Sequence, residues 1–208
     1  MPALSRLSFV AALLLPVAGL AQGITITRQV SLDLIPGRAG LETAELVRRP
    51  ASDEYSNSAD LIIRGADGTE IARAERIGLY HAMQGFTELS VAPNGSSLIV
   101  SEVLTGVGRG AHAADFTIAY RNGGVVVAGF TRSSWDRITN ETLSCDWNLL
   151  TGRYEVSACA MRNPDRDAPG DCVERKDNGR IAPARISLGD LDRLTAQESP
   201  LNSFCTRR

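Results

Sequence analysis

The chain has 208 residues, 43% of them hydrophobic, and its 22 basic and 24 acidic side chains leave a formal charge of −2. A surface so nearly balanced lacks the positive field that nucleic acid or an anionic membrane requires, so neither is expected as a partner. After the first residues no apolar stretch approaches the roughly 20 that span a bilayer, so no later transmembrane segment is expected.

The amino terminus has the three parts of a secretory leader. Met1–Arg6 carries one charge, Leu7–Leu15 is apolar, Pro16 breaks the run, and Gly19-Leu20-Ala21 supplies the small residues of a cleavage site before Gln22. Residues 1–21 are therefore read as a signal peptide and 22–208 as a single secreted β domain, periplasmic or secreted. About 187 residues suffice for one substantial core. No cysteine stands at the cleavage point, which argues against a lipoprotein.

Ile24–Leu34 alternates Ile24, Ile26, Val30, Leu32 and Leu34 with polar neighbours, the pattern of a strand with one wet face. Pro36-Gly37 ends it. Leu41–Arg48 is predicted as two helical turns closed by Pro50, and Ala51–Ala59 as a loop. Leu61-Ile62-Ile63 is a short buried run that turns at Gly65–Gly68. Glu70–Leu79 has helical composition, but its place after an Asp-Gly turn favours a strand; Tyr80–Thr87, with His81, Met83 and Phe86, reads as a connection.

From Glu88 to Ala158 short apolar runs are separated by Pro93-Asn94-Gly95, Asn122-Gly123-Gly124 and Thr151-Gly152, residues that tolerate the positive φ of hairpin turns. Val125-Val126-Val127 is apolar on both faces and is placed at the centre of a sheet. Thr105–His112 is read as a Gly-rich loop, Val173–Gly179 as a charged turn and Ile181–Leu188 as a last strand. Ser187 is placed as the cap of a short helix over Leu188–Leu194, and Pro200–Arg208 as a tail held by Cys205. The fold expected is mainly β: an antiparallel meander forming a sandwich or flattened barrel, with one or two short helices.

Cys145, Cys159, Cys172 and Cys205 form an even set, which in an exported chain argues for two disulfides. Cys159 with Cys172 and Cys145 with Cys205 is the favoured pairing; Cys145 with Cys159 across a hairpin is the alternative. Between Cys159 and Cys172, Asn163, Asp165, Asp167 and Asp171 offer alternating oxygen donors, a partial calcium pattern that lacks a bidentate Glu. The plain alternative is a solvated turn-rich loop. No other cofactor is expected.

Trp135 beside Arg137, together with Arg109 between two glycines, is the candidate surface for a protein partner. The plain reading of this stretch folds Trp135 onto the core edge and pairs Asp136 with Arg137. For catalysis, His81 and His112 are the only histidines, and neither a G-x-S-x-G elbow nor H-E-x-x-H occurs. A carboxylate pair drawn from Asp115, Asp136, Glu141 and Asp146 is the remaining catalytic option.

The run Tyr120–Thr131, then Asp136-Arg137, then Cys145–Gly152 resembles a group of exported bacterial β-rich proteins with an -N-x-L-T-G- hairpin. Some of that group resemble periplasmic lysozyme inhibitors and immunity proteins, which block a wall-degrading enzyme by inserting a loop. Several such inhibitors carry a Ser-Gly-x-x-Tyr loop, whereas this chain has no Ser-Gly dipeptide, so no inhibitory residue carries over. The resemblance implies a non-catalytic periplasmic binding protein, an inhibitor or immunity-like partner of a cell-wall hydrolase or another envelope protein. The alternatives are a carboxylate-dependent hydrolase of envelope polymers and a calcium-stabilised structural module.

Overall fold

Alternating side chains dominate the chain, and the computed structural model turns nearly all of them into strands. It describes residues 25–48, 56–81, 85–104, 109–160, 173–195 and 200–207. The expected leader, Met83, residues 105–108 of the Gly-rich loop and the whole Asp-rich segment 161–172 lie outside the described residues.

Strands β1 (Thr25–Leu32), β2 (Glu42–Arg48), β3 (Ser56–Arg64) and β4 (Glu70–His81) form a small antiparallel meander. The segment predicted as a helix is β2, a correction with a clear cause. Glu42, Ala44 and Leu46 are buried in alternation, and β2 pairs on both edges, with β1 and with β3. An isolated helix of two turns is too short to sustain itself, so this long-range pairing decides. The buried Glu42 carboxylate is used locally: its Oε2 accepts the N–H groups of Leu34 (2.9 Å) and Ile35 (3.2 Å) where the chain leaves β1. Part of the stretch predicted as a loop, Ser56–Ala59, belongs to β3.

The larger sheet has the order β11-β10-β9-β8-β7-β6-β5, with β5 (Gly85–Val91), β6 (Ser97–Leu104), β7 (Gly110–Arg121), β8 (Gly124–Asp136), β9 (Thr142–Asn148), β10 (Arg153–Ala160) and β11 (Val173–Arg180). Strand β8 is its centre, as the Val125–Val127 run implied. Asn122 (φ 52°) and Gly123 (φ 81°) make the two-residue turn between β7 and β8. The predicted Gly-rich loop ends early, since β7 begins at Gly110 and includes His112. The predicted charged turn at 173–179 is the edge strand β11, whose run of charges at Glu174-Arg175-Lys176-Asp177 suits a strand with one edge in water.

One apolar core lies between the two sheets, drawing on Leu46, Leu61 and Ile63 from the small sheet and Val100, Phe116, Ile118 and Phe130 from the large one. The assembly is a β-sandwich, and the described strands close no barrel. The predicted last strand shrinks to β12 (Ile186–Ser187), which pairs with Val127 and Val126 of β8 beyond the end of β9. A 3-10 turn at Leu188–Asp190 and helix α1 (Leu191–Thr195) then carry the chain across to pack on β4. Ser187 does stand at the cap position, but its hydroxyl donates to Asp190 Oδ2 (2.6 Å) and to no backbone N–H.

The predicted tail is helix α2 (Pro200–Arg207), with Pro200 opening its first turn and Leu201 and Cys205 buried one helical turn apart. Cys205 is bonded to Cys145 of β9, with Cα atoms 5.7 Å apart, so the hairpin alternative for Cys145 is excluded. Phe204 stacks on Trp147 (centroids 4.3 Å) and meets the edge of Tyr154 (5.1 Å). Cys159 is also disulfide-bonded; Cys172 lies outside the described residues.

Candidate functional site

Strands β7 and β8 are long, with 12 and 13 residues, and their ends run past the apolar core. Strand alternation fixes what that end presents. Phe116 faces Phe130 across the pair, Ala114 faces Arg132, and His112 faces Ser134, all with core-side parity. On β9, Cys145 lies beside Arg132 and Leu143 beside Ser134; on β10, Ala158 continues the row. Level with the Cys145–Cys205 bond the sheet face gains the Arg132 guanidinium, and one step further it carries the His112 imidazole and the Ser134 hydroxyl beside the apolar Leu143 and Ala158.

There a cleft of about 620 Å³ opens, lined by His112, Arg132, Ser134, Trp135, Asp136, Glu141, Leu143 and Ala158 among others. Arg132 forms its inner wall. The Nε of Arg132 is buried without a hydrogen-bond partner, and no carboxylate among the described residues pairs with this guanidinium. Burial lowers the Arg132 pKa. Burial also lowers the pKa of His112, and the charge of Arg132 adds to the effect, so the imidazole is held neutral at pH 7.

The mouth of the cleft is fastened by an ion pair. Arg109 Nε donates to Asp136 Oδ2, while Asp136 Oδ1 accepts the N–H groups of Ile138 and Thr139, both at 2.9 Å. The Arg137 N–H donates to the Arg109 carbonyl (2.9 Å) and the Asp136 N–H to that of Glu141 (2.8 Å). The N–H of Thr139, then that of Ile138 and the Arg109 guanidinium, hold the Asp136 carboxyl below the usual carboxylate range. The local Asp136–Arg137 pair of the plain sequence reading is thus replaced by Asp136–Arg109. The carboxylate organises the turn between β8 and β9, and both its oxygens are engaged.

Of the residues singled out in the sequence, Arg109, Trp135, Asp136, Arg137 and Glu141 all lie at this end. Trp135 is half-buried on the parity opposite Arg132, between Ala111 and Thr142. Asp115 and Asp146 fall elsewhere, on the outer sheet face in one row with Thr131, whose hydroxyl donates to Asp146 Oδ2 (2.9 Å). They do not form a pair with Asp136 or Glu141. Asn163, Asp165, Asp167 and Asp171 lie outside the described residues, and among those described no three His, Cys, Asp or Glu side chains are grouped to hold a metal ion.

Sequence reasoning overlooked Arg132 and Ser134. The signal was present: in Phe130-Thr131-Arg132-Ser133-Ser134, Arg132 and Ser134 share the inward phase of Phe130. A charge on an apolar phase is a cue to a site or to a strand that outruns its core.

No helix among the described residues is long and apolar enough to cross a membrane. Comparison with known protein families, with curated proteins and with solved structures finds no match for this chain.

Proposed function

We propose that this is a non-catalytic binding protein of the cell envelope, exported by its leader, whose working surface is the cleft end of the large sheet. Its occupant would be an envelope or secreted protein, with a cell-wall hydrolase blocked or neutralised by the contact as the foremost candidate. The observation that carries this reading is the combination, on rigid strands, of a half-buried Trp135 with an Arg132 guanidinium that has no described counter-charge. Aromatic and arginine side chains held by a stiff scaffold lose little entropy on binding and make the strongest anchors. The Cys145–Cys205 bond is in keeping with an oxidising compartment.

A carboxylate-dependent hydrolase is the weaker reading, because Asp136 spends both oxygens on the turn and Asp115 and Asp146 stand on the open sheet face. The test is capture of envelope proteins by the immobilised chain, compared with a folded Trp135→Ala variant, followed by inhibition assays on any hydrolase retained. Capture lost in the variant supports the reading. Equal capture by both, or turnover of peptidoglycan fragments by the purified chain, overturns it.

A further inference from the structure

Within the cleft, Arg132 stands apart from the other arginines whose ion pairs are described. Arg64 pairs with Glu45, Arg73 with Asp60 and Glu70, and Arg109 with Asp136. Arg132 has a buried Nε without a partner, and its neighbours by register are Ala114 and Cys145, neither of which bears a charge. A partly desolvated cation without a counter-charge is costly, and an entering anion offsets that cost. One step along the strands, His112 and Ser134 face each other and offer a neutral ring nitrogen and a hydroxyl.

We propose that the cleft is a carboxylate-binding site in which Arg132 holds the anion, assisted by Ser134 and His112. This rests on the reading of the cleft end as the binding surface and names the chemistry it recognises. A single guanidinium suits a single negative charge. A phosphate dianion would need a second cation, and among the described lining residues Arg132 is the only arginine or lysine; Arg109, outside the lining, is spent on Asp136, and the other charged group toward the mouth is Glu141. Glu141 is placed opposite Asp136 by the backbone bond between them, four residues along β8 from Arg132, or roughly 13 Å at the rise of an extended strand. It would repel a highly charged anion entering past it and tolerate a monoanion on an otherwise neutral body. The carboxylate can come from a peptide C-terminus or from an acidic side chain.

Calorimetric titration of the purified chain at pH 7 and low salt, with the His112 ring followed by NMR, separates these sources. The ligands are N-acetyl-dialanine as its free acid, the same dipeptide as its amide, N-acetyl-aspartyl amide and inorganic phosphate. Binding of either carboxylate, with the His112 resonances shifted and the neutral amide inert, is the expected result. The free dipeptide acid reports a C-terminal source and the aspartyl amide a side-chain source. Arg132→Gln should weaken the affinity at least tenfold, and Ser144→Ala, on the outer face, should leave it unchanged. No binding of either carboxylate, equal binding of the neutral amide, tighter binding of phosphate, or undiminished binding by folded Arg132→Gln each overturns the proposal. Should the wild type bind no carboxylate yet lose its protein partner on Trp135→Ala, the anion site falls and the binding function stands.

Discussion

The carbonyl of Gly152 accepts the N–H of Ile181 at 3.0 Å, and a Cβ built on Gly152 would lie 1.9 Å from the Ile181 carbonyl oxygen. Gly152 also sits at φ 73°, where an L side chain is strained. The hairpin between β9 and β10 is therefore pressed directly against the strand-free segment that leads to β12. Gly152→Ala combines left-handed strain of about 1–2 kcal/mol with a backbone clash. A loss of about 3 kcal/mol or more in chemical denaturation is expected. A variant as stable as wild type would mean that the 181–185 segment yields freely.

Replacing Cys145 and Cys205 together by serine removes the link between β9 and α2. The expected loss is about 2–4 kcal/mol, read by calorimetry. Because Phe204 stacks on Trp147, release of α2 should also change the tryptophan fluorescence before the sheet melts. A spectrum that changes only with global unfolding would indicate that packing alone seats the helix.

The depressed pKa of His112 makes stability depend on pH in a known direction. Below its ordinary value of 6.5 the unfolded chain takes up a proton that the folded chain resists. The unfolded state then binds more protons, so this contribution is complete above that pH and is lost as pH falls from there toward the lower folded value. Denaturation at pH 7.5 and 5.5 should show a smaller drop in His112→Gln than in wild type; His81 is present in both and cancels. Asp136 is also depressed, but its loss belongs to a more acid window, below its ordinary 3.8.

Arg132→Met should raise the melting temperature of the ligand-free protein by about 2–4 °C, corresponding to about 1 kcal/mol. Methionine fills the apolar stem's place and removes a cation that burial disfavours. A lower melting temperature would show that the guanidinium is already compensated.

The fastening at the cleft mouth is unequal. Asp136→Ala loses the contacts to Ile138, Thr139 and Arg109, whereas Arg109→Ala loses only the last. Thermal melts should therefore order them wild type, Arg109→Ala, Asp136→Ala. The reverse order would place the anchor in the arginine.

What could be read from the residues was the alternation and the turns. Asn122-Gly123, Gly95 and Gly152 all take positive φ, and β6 to β10 lie where the turns put them. Readings failed where a distant partner decides. Nothing within Leu41–Arg48 reveals that β1 and β3 wait on either side, and nothing in Val173–Arg180 reveals the free edge of β10. In β4, Ala74 and Ile77 are both buried three residues apart, a helical spacing produced by an irregular strand in which Arg76 sits at φ 54° and donates its N–H to Asp60. The site was half legible: Trp135 and Asp136 stood out as residue types, while Arg132 mattered through its phase and its lack of a described acid.

Strand β12 has only two residues, yet among the described strands it alone pairs with β8 beyond the end of β9. It completes the edge of β8 at Val126 and Val127, and the residues after it reach the opposite sheet at β4. Because β12 follows all eleven other described strands in sequence, a nascent polypeptide cannot complete the edge of its central strand until those strands have been made. A copy cut before Ile186 would expose a bare valine-rich edge at the heart of the sandwich, open to the matching segment of another molecule. The keystone is set after the strands it joins, and losing it would turn a self-contained fold into one that borrows from its neighbours.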